Sequence, residues 1–190
     1  TALRREGLLV SATAESVDLA GLGIDTRTIG PGQLYCAVRG TTSDGHGFAD
    51  EAVAKGAVAV MGERTMGAGV PEILVTDGRR AASAAARAWY RDPAAALMLI
   101  GITGTNGKTT TTGLVRHLFN ANGTAGSIGT LGAFDGAGQP VPSTAGSLTT
   151  PGPVDLHATF AELRNRGVTH VAMETSSHSL DQGRLDGLTF

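Results

Sequence analysis

Apolar residues gather in short runs separated by polar, glycine-rich segments, and between those runs they recur at helical spacing. Residues 34–38 (LYCAV), 57–61 (AVAVM), 73–76 and 168–173 (VTHVAM) read as strands bounded by turn signals. Residues 97–102 (LMLIGI) are unbroken and apolar, the pattern of a parallel strand buried on both faces. Helical spacing marks residues 48–55, with Phe48, Ala52 and Val53 on one face and Gly56 as the stop. It marks the alanine-rich residues 79–90, which Arg91-Asp92-Pro93 ends because the residue before proline resists the α region. After Lys108, Leu114, Val115 and Leu118 recur at helical intervals up to a stop near Asn122-Gly123. A last helix opens at Pro153, carries Asp155 at its positive end, presents Leu156, Phe160 and Leu163 as a stripe, and closes at Gly167. Residues 1–16 hold a short helix, 39–47 (RGTTSDGHG) a polar loop, and 126–142 a short strand with a hairpin-like excursion.

Strands and helices alternate on both sides of Pro93, so the expected class is α/β. Residues 1–93 form a small α/β domain. Residues 94–190 begin a second, mostly parallel one.

Bulk properties narrow this only slightly. The chain has 190 residues, 41% hydrophobic and 17% charged, with a formal net charge of −2. It has no Lys/Arg cluster for general nucleic-acid binding, its apolar stretches are too short for membrane insertion, and its start lacks a signal-peptide pattern. The single Cys36 cannot pair internally and lies in an apolar run, which suits a buried residue in a reducing, cytoplasmic setting. The chain begins without Met and stops soon after a candidate site, so a fragment is expected.

Residues 101–112 read GITGTNGKTTTT. Strand, glycine-rich turn and helix in that order make a phosphate cradle, in which backbone N–H groups and the positive helix end face the anion. Gly104, Thr105, Asn106, Gly107, Lys108, Thr109 and Thr110 are its candidate ATP-binding residues. Lys108 reaches the β/γ-phosphates and the Thr109 hydroxyl sits on Mg²⁺. The strict motif would begin at position 102, which is Ile. Glu174, at the carboxyl end of the 168–173 strand, is the second candidate metal contributor, because ligands gather at that edge of open α/β sheets. Thr175-Ser176-Ser177-His178-Ser179-Leu180 then places hydroxyls and an imidazole on one turn, where Ser176 and Ser177 would donate to a ligand. Position alone leaves His178 equally a structural residue and Arg184, which could fork onto a phosphate or carboxylate, equally a surface arginine. Thr149 and Thr150 precede a proline-fixed turn and either expose hydroxyls and N–H groups to an anion or serve the turn itself. His46, His117, His157 and His170 lack metal-ligand spacing.

Together, Thr103-Gly104-Thr105-Asn106-Gly107-Lys108-Thr109-Thr110-Thr111-Thr112, Thr149-Thr150-Pro151 and Glu174-Thr175-Ser176-Ser177-His178-Ser179-Leu180 resemble the Mur ligase family, the MurE type above all. Asp25-Thr26-Arg27 is similar to the family's Asp-Ser-Arg. Pro31-Gly32-Gln33-Leu34-Tyr35-Cys36-Ala37-Val38-Arg39-Gly40 with Asp44-Gly45 is similar to the strand and loop that hold a uridine. The resemblance implies an ADP-forming ligase that adds the third amino acid to UDP-N-acetylmuramoyl-L-alanyl-D-glutamate through an acyl phosphate, in peptidoglycan precursor synthesis. It implies ATP and Mg²⁺ as cofactors, Lys108 and Glu174 as catalytic residues, and Thr109 and Glu174 as metal ligands. It puts Thr149, Thr150, Ser176, Gln182 and Arg184 on the UDP-muramyl-dipeptide, and Thr26, Thr41 and Thr42 near its uridine. It also implies a UDP-sugar-binding domain over 1–93, part of an ATP-binding domain over 94–190, an absent C-terminal domain, a monomer in the cytoplasm, and no turnover by this polypeptide alone. Two other readings remain: a sister ligase that adds D-Ala-D-Ala, and a nucleotide or nucleotide-sugar binding module without catalysis.

Overall fold

The computed structural model describes residues 2–40, 43–122, 124–142 and 148–190, and the chain divides into two units, Thr1–Trp89 and Tyr90–Phe190. The first contains α1 (Ala2–Arg5), β1 (Leu9–Ala12), β2 (Gly21–Gly23) and β3 (Gln33–Cys36). A 3-10 turn at Gly45–Phe48 then runs into α2 (Ala49–Ala54), followed by β4 (Ala59–Gly62), β5 (Glu72–Val75) and α3 (Gly78–Trp89). The strand order is β1-β5-β4-β3-β2, parallel throughout except for β1, which lies antiparallel on β5.

All four residues of β4 are buried, as its continuous apolar run requires of an inner strand covered on both faces. Tyr35, Val60, Ala49, Ala52 and Ala57 pack one core there. In α3 the face made of Ala81, Ala82 and Ala86 is fully buried, and side chains that small let the helix lie close to its neighbours. Past its end, Arg91 and Asp92 both adopt left-handed backbone, at φ 59° and 47°, before Pro93.

Phe48 does not join the apolar face expected of it. It caps α2 from outside and remains 40% exposed. β1 and β2 carry weak sequence signals for physical reasons. Three of the four β1 residues are exposed at the sheet edge, and β2 (GLG) offers one side chain.

In the second unit a 3-10 turn (Pro93–Ala96) leads into β6 (Met98–Ile102) and α4 (Lys108–Phe119). Another 3-10 turn (Asn120–Asn122) precedes β7 (Ala125–Gly129), β8 (Gly132–Phe134) and β9 (Pro140–Val141). The unit closes with α5 (Pro153–Asn165), β10 (His170–Glu174) and α6 (Ser177–Asp181). The order β6-β10-β7-β8-β9 sets three parallel strands beside an antiparallel hairpin. Leu156, Phe160 and Leu163 of α5 are all but fully buried against Leu99, Ile128, Val171 and Met173. Each such side chain contributes roughly 1.5–3 kcal/mol.

One expectation is corrected here. The run at 97–102 is not buried on both faces: within β6 only Leu99 is buried, and Met98 is 56% exposed. The helical spacing of Leu114, Val115 and Leu118 is that of α4, on which Leu114 and Leu118 are exposed. Instead Thr109, Thr112, Gly113 and Arg116, spaced i, i+3, i+4 and i+7, line a cavity shared with Ser127, Ile128 and Gly129 of β7. Arg116 fixes that orientation, with Nε donating to the Ala125 carbonyl at 3.2 Å and Nη2 to the Asp135 carbonyl at 2.6 Å. Among the described residues no helix is long and apolar enough to cross a membrane.

Candidate functional site

β6 and β10 run parallel with Ile102 opposite Glu174, and the Thr175 N–H donates to the Ile102 carbonyl at 2.8 Å. The glycine-rich loop leaving β6 and the carboxylate ending β10 therefore emerge at one sheet edge. Gly104 (φ +140°) and Gly107 (φ +79°) occupy backbone regions that other residues avoid, so the loop needs glycine at both. Gly107 is also the N-cap of α4 and has no side chain to satisfy the first helical N–H groups. Lys108 arches back, Nζ donating to the Gly104 carbonyl at 2.7 Å. Thr105, Asn106 and Thr110 are exposed, and Thr109 is half-buried on the cavity side.

Glu174 is 2% exposed. The Thr130 N–H donates to its Oε1 at 3.1 Å and the Thr130 hydroxyl to its Oε2 at 3.2 Å. Among the described residues no Lys, Arg or His forms an ion pair with it; the second unit's pairs belong to Arg166 with Asp135 and Glu162. Burying a carboxylate without a countercharge costs several kcal/mol. The adjoining cavity, about 210 Å³, is lined by Thr109, Thr112 and Glu174, and the Thr112 hydroxyl is buried there with no hydrogen-bond partner. An open helix N-terminus, a lysine, a half-buried threonine hydroxyl and a buried carboxylate lacking a cation fit a phosphate tail with a hard divalent cation. Among the described residues no three His, Cys, Asp or Glu side chains gather as a metal-holding group. A cation at this edge would thus take further ligands from phosphate and water.

The second cluster knits together behind Glu174. The Thr150 hydroxyl donates to the Glu174 carbonyl at 2.9 Å and accepts from the Ser176 N–H at 3.2 Å. Arg184 Nη1 donates to the Thr150 carbonyl at 2.8 Å, and its Nε and Nη2 fork onto Gln182 Oε1 at 2.9 and 2.6 Å. Ser176 Oγ accepts from the Ser179 N–H as the cap of α6. Thr149 lies 3.1 Å, oxygen to oxygen, from Thr130. The Thr150 hydroxyl is buried and bonded to the backbone, and Ser176 Oγ caps α6 as an acceptor while keeping its own O–H to donate.

In the first unit Thr26 borders a cavity of about 500 Å³ with Asp25, Arg27, Tyr35, Ser43 and Arg79. Asp25 accepts from the Arg27 backbone at 2.8 Å and from its guanidinium at 2.6–3.0 Å, and the Arg27 hydrogen bonds hold its carboxyl below the usual range. Burial pushes the Tyr35 phenol up to about 12, so it stays a donor, to the Gly45 carbonyl at 2.9 Å. One wall is pinned by His46, which is 5% exposed. Its Nε2 accepts from the Glu63 N–H at 2.9 Å, which assigns the ring proton to Nδ1, 2.5 Å from Asp44 Oδ1. Hydrogen bonds from His46 draw the Asp44 carboxyl down to about 2. Thr41 and Thr42 lie outside the described residues. Cys36 is fully buried, and burial pushes its thiol up to about 12.

Sequence reasoning passed over Thr130 and Arg79 and gave Thr112 no role beyond its place at the end of the 101–112 motif. Thr130 had one usable signal, its place in the Gly129-Thr130-Leu131-Gly132 turn at the end of a parallel strand; Arg79 had none that set it apart from an ordinary helix position.

Comparison with known proteins follows the same two units. The model described as Mur ligase family, catalytic domain matches residues 18–90, and that of the Mur ligase middle domain matches residues 102–190. A UDP-N-acetylmuramoyl-L-alanyl-D-glutamate--2,6-diaminopimelate ligase of Geobacillus kaustophilus is 43% identical over 174 residues, which are 91% of this chain and 35% of that protein. One of the same name from Agrobacterium fabrum is 45% identical over 175 residues, 91% of this chain and 34% of that one. The chain thus spans about a third of the length of these relatives. A solved structure of an enzyme of that name superposes with a TM-score of 0.69 at 28% identity, covering 89% of this chain and 34% of its own. The Thermotoga maritima MurF ligase in complex with ADP shares the fold at 20% identity, with a TM-score of 0.56 over 86% of this chain and 34% of its own. Two models of one family in chain order, with relatives above 40% identity across nine-tenths of the sequence, establish that this chain belongs to the Mur ligase family.

Proposed function

We propose that the protein carrying this chain is an ATP-dependent ligase that adds the third amino acid to UDP-N-acetylmuramoyl-L-alanyl-D-glutamate. The names of its relatives favour 2,6-diaminopimelate as that amino acid. The single observation that carries the reading is the shared edge: Ile102 beside Glu174 in parallel register, which sets the glycine loop and a buried, cation-free carboxylate side by side.

ATP and Mg²⁺, when bound, supply an activated phosphoryl group for the dipeptide carboxylate, so that the incoming amine displaces phosphate. Gly104 through Thr110 wrap the phosphates with backbone N–H groups. Lys108, now bonded to the Gly104 carbonyl, would neutralise phosphate charge, and Thr109 and Glu174 would hold the cation. Phosphoryl transfer needs positioning and charge neutralisation more than covalent help, and these side chains provide both. Thr149 and Arg184 face the UDP-muramyl-dipeptide, with Thr150, Ser176 and Gln182 shaping the turn that presents them. Thr26, with Thr41 and Thr42, takes the uridine in the first unit. Residues 1–93 serve as the UDP-sugar-binding domain and 94–190 as part of the ATP-binding domain of a cytoplasmic monomer.

The test is phosphate release by the full-length protein given ATP, Mg²⁺ and candidate acceptors. Release only with the muramyl dipeptide and one diamino acid is expected. Release with the tripeptide and D-Ala-D-Ala would make it the sister ligase, and none with any acceptor would leave a binding module.

A further inference from the structure

We infer that Thr130 is a positioning residue that fixes the metal-side carboxylate and, through the same hydroxyl, orients Thr149 on the substrate side. This rests on the ligase reading above and deepens it. Both Glu174 oxygens are held by one residue, Oε1 by the Thr130 N–H at 3.1 Å and Oε2 by its hydroxyl at 3.2 Å, so the carboxylate can neither rotate nor withdraw without losing a bond. Gly129 makes the pose possible, since a Cβ there would come within 2.7 Å of the Glu174 carboxyl carbon. β7 therefore ends in a glycine that leaves room, and the threonine that follows it clamps.

The clamp has a direction. A carboxylate only accepts, so the one hydroxyl hydrogen of Thr130 is committed to Glu174. The hydrogen shared by the Thr130 and Thr149 hydroxyls, 3.1 Å apart, then belongs to Thr149. Thr149 is left facing the ligand with lone pairs alone. It accepts from an N–H or O–H of the muramyl peptide and disfavours a bare phosphate oxygen, which reverses the anion-donor role its sequence position suggested.

Thr130→Val removes the hydroxyl and keeps both the backbone N–H and the volume; Thr130→Ser restores the hydroxyl. Mn²⁺ retention by the full-length protein with a non-hydrolysable ATP analogue, read by electron paramagnetic resonance, separates them without turnover. About a tenfold weaker Mn²⁺ affinity in Thr130→Val is expected, with Thr130→Ser within about twofold of the parent. Gly129→Ala displaces the carboxylate while leaving the hydroxyl, and should lose as much. Calorimetric affinity for the UDP-muramyl-dipeptide without metal should fall in Thr130→Val and in Thr149→Val alike. Unchanged Mn²⁺ affinity in Thr130→Val or in Gly129→Ala overturns the inference while leaving the ligase reading intact. A parent protein that retains no Mn²⁺ with the nucleotide overturns both.

Discussion

Two carboxylates, Asp44 capping the 3-10 turn near the first unit's cavity and Glu174 at the end of β10 in the second unit, are satisfied in opposite ways. Asp44 is about one-third exposed, accepts from the neutral His46 Nδ1–H at 2.5 Å, and has two cations beside it, Arg64 at 3.0 Å and Arg39 at 3.9 Å. Glu174 is buried, and its carboxylate oxygens are held by the neutral donors of Thr130. A charge already matched by the protein's own side chains serves the fold. One buried among N–H and O–H donors has its geometry fixed and its field left over for a ligand. Acidic residues beside a cavity differ in what they can do, and the partners reveal it better than the position.

The largest effects should come from breaking the second arrangement. Glu174→Gln keeps an acceptor for the Thr130 N–H and removes the charge, and Lys108→Ala removes the phosphate contact. Each should lower kcat of the full-length enzyme on the order of 10²–10³-fold, the loss typical of one preorganised charge-stabilising group. The thermal midpoint should scarcely move in Lys108→Ala and should rise in Glu174→Gln, which relieves a buried charge. A Glu174→Gln enzyme with near-parental turnover would show that its carboxylate, like Asp44, is structural.

Arg184→Ala should do less. Its guanidinium donates to Gln182 Oε1 and to the Thr150 carbonyl, and these bonds hold it in place beside the Thr149-Thr150 turn. Losing one charge-assisted contact weakens UDP-muramyl-dipeptide binding by about tenfold, with ATP affinity unchanged in the same calorimetry. Equal loss of both ligands would place Arg184 in the folding category with Asp44.

The sequence made the nucleotide edge legible and much of its surroundings illegible, for separable reasons. Gly104, Gly107 and the α4 start were readable because each answers a local backbone demand. The α5 stripe was readable because Leu156, Phe160 and Leu163 have no use except burial. The same spacing marked α4 as a helix but not its inner face, where the polar row of Thr109, Thr112 and Arg116 lines the cavity beside β7 and the leucines are exposed. Periodicity reports that a helix has two faces; it does not say which one the sheet covers when the inner face lines a cavity. Thr130 was hidden because its role depends on β7 lying beside β10, a pairing across more than forty residues that no local pattern encodes. The Asp44–His46 clasp was half-hidden, since His46 lacked metal spacing, but its partner at Glu63 belongs to another segment.

The smallest effect tests the other side of the comparison. The Asp44 carboxyl is held near 2 by hydrogen bonds from His46 and by Arg64, below its ordinary 3.8. A lowered folded value means the native state binds the proton less readily than the unfolded chain. The stabilisation is thus fully present above the unfolded value and is lost as pH falls through the folded one, across the window from about 4 down to about 2. Asp44→Asn retains a hydrogen-bond acceptor for the His46 Nδ1–H and discards the charge. Its thermal midpoint should sit modestly below the parent's at neutral pH, and the two should converge as pH drops through that window, where Asp25 and Asp135, also lowered, still titrate in both. Circular dichroism melts at half-unit pH steps measure the convergence. A constant gap between parent and variant from neutral pH to pH 2 would show that the Asp44 charge contributes nothing to the fold, and the contrast with Glu174 would rest on burial alone.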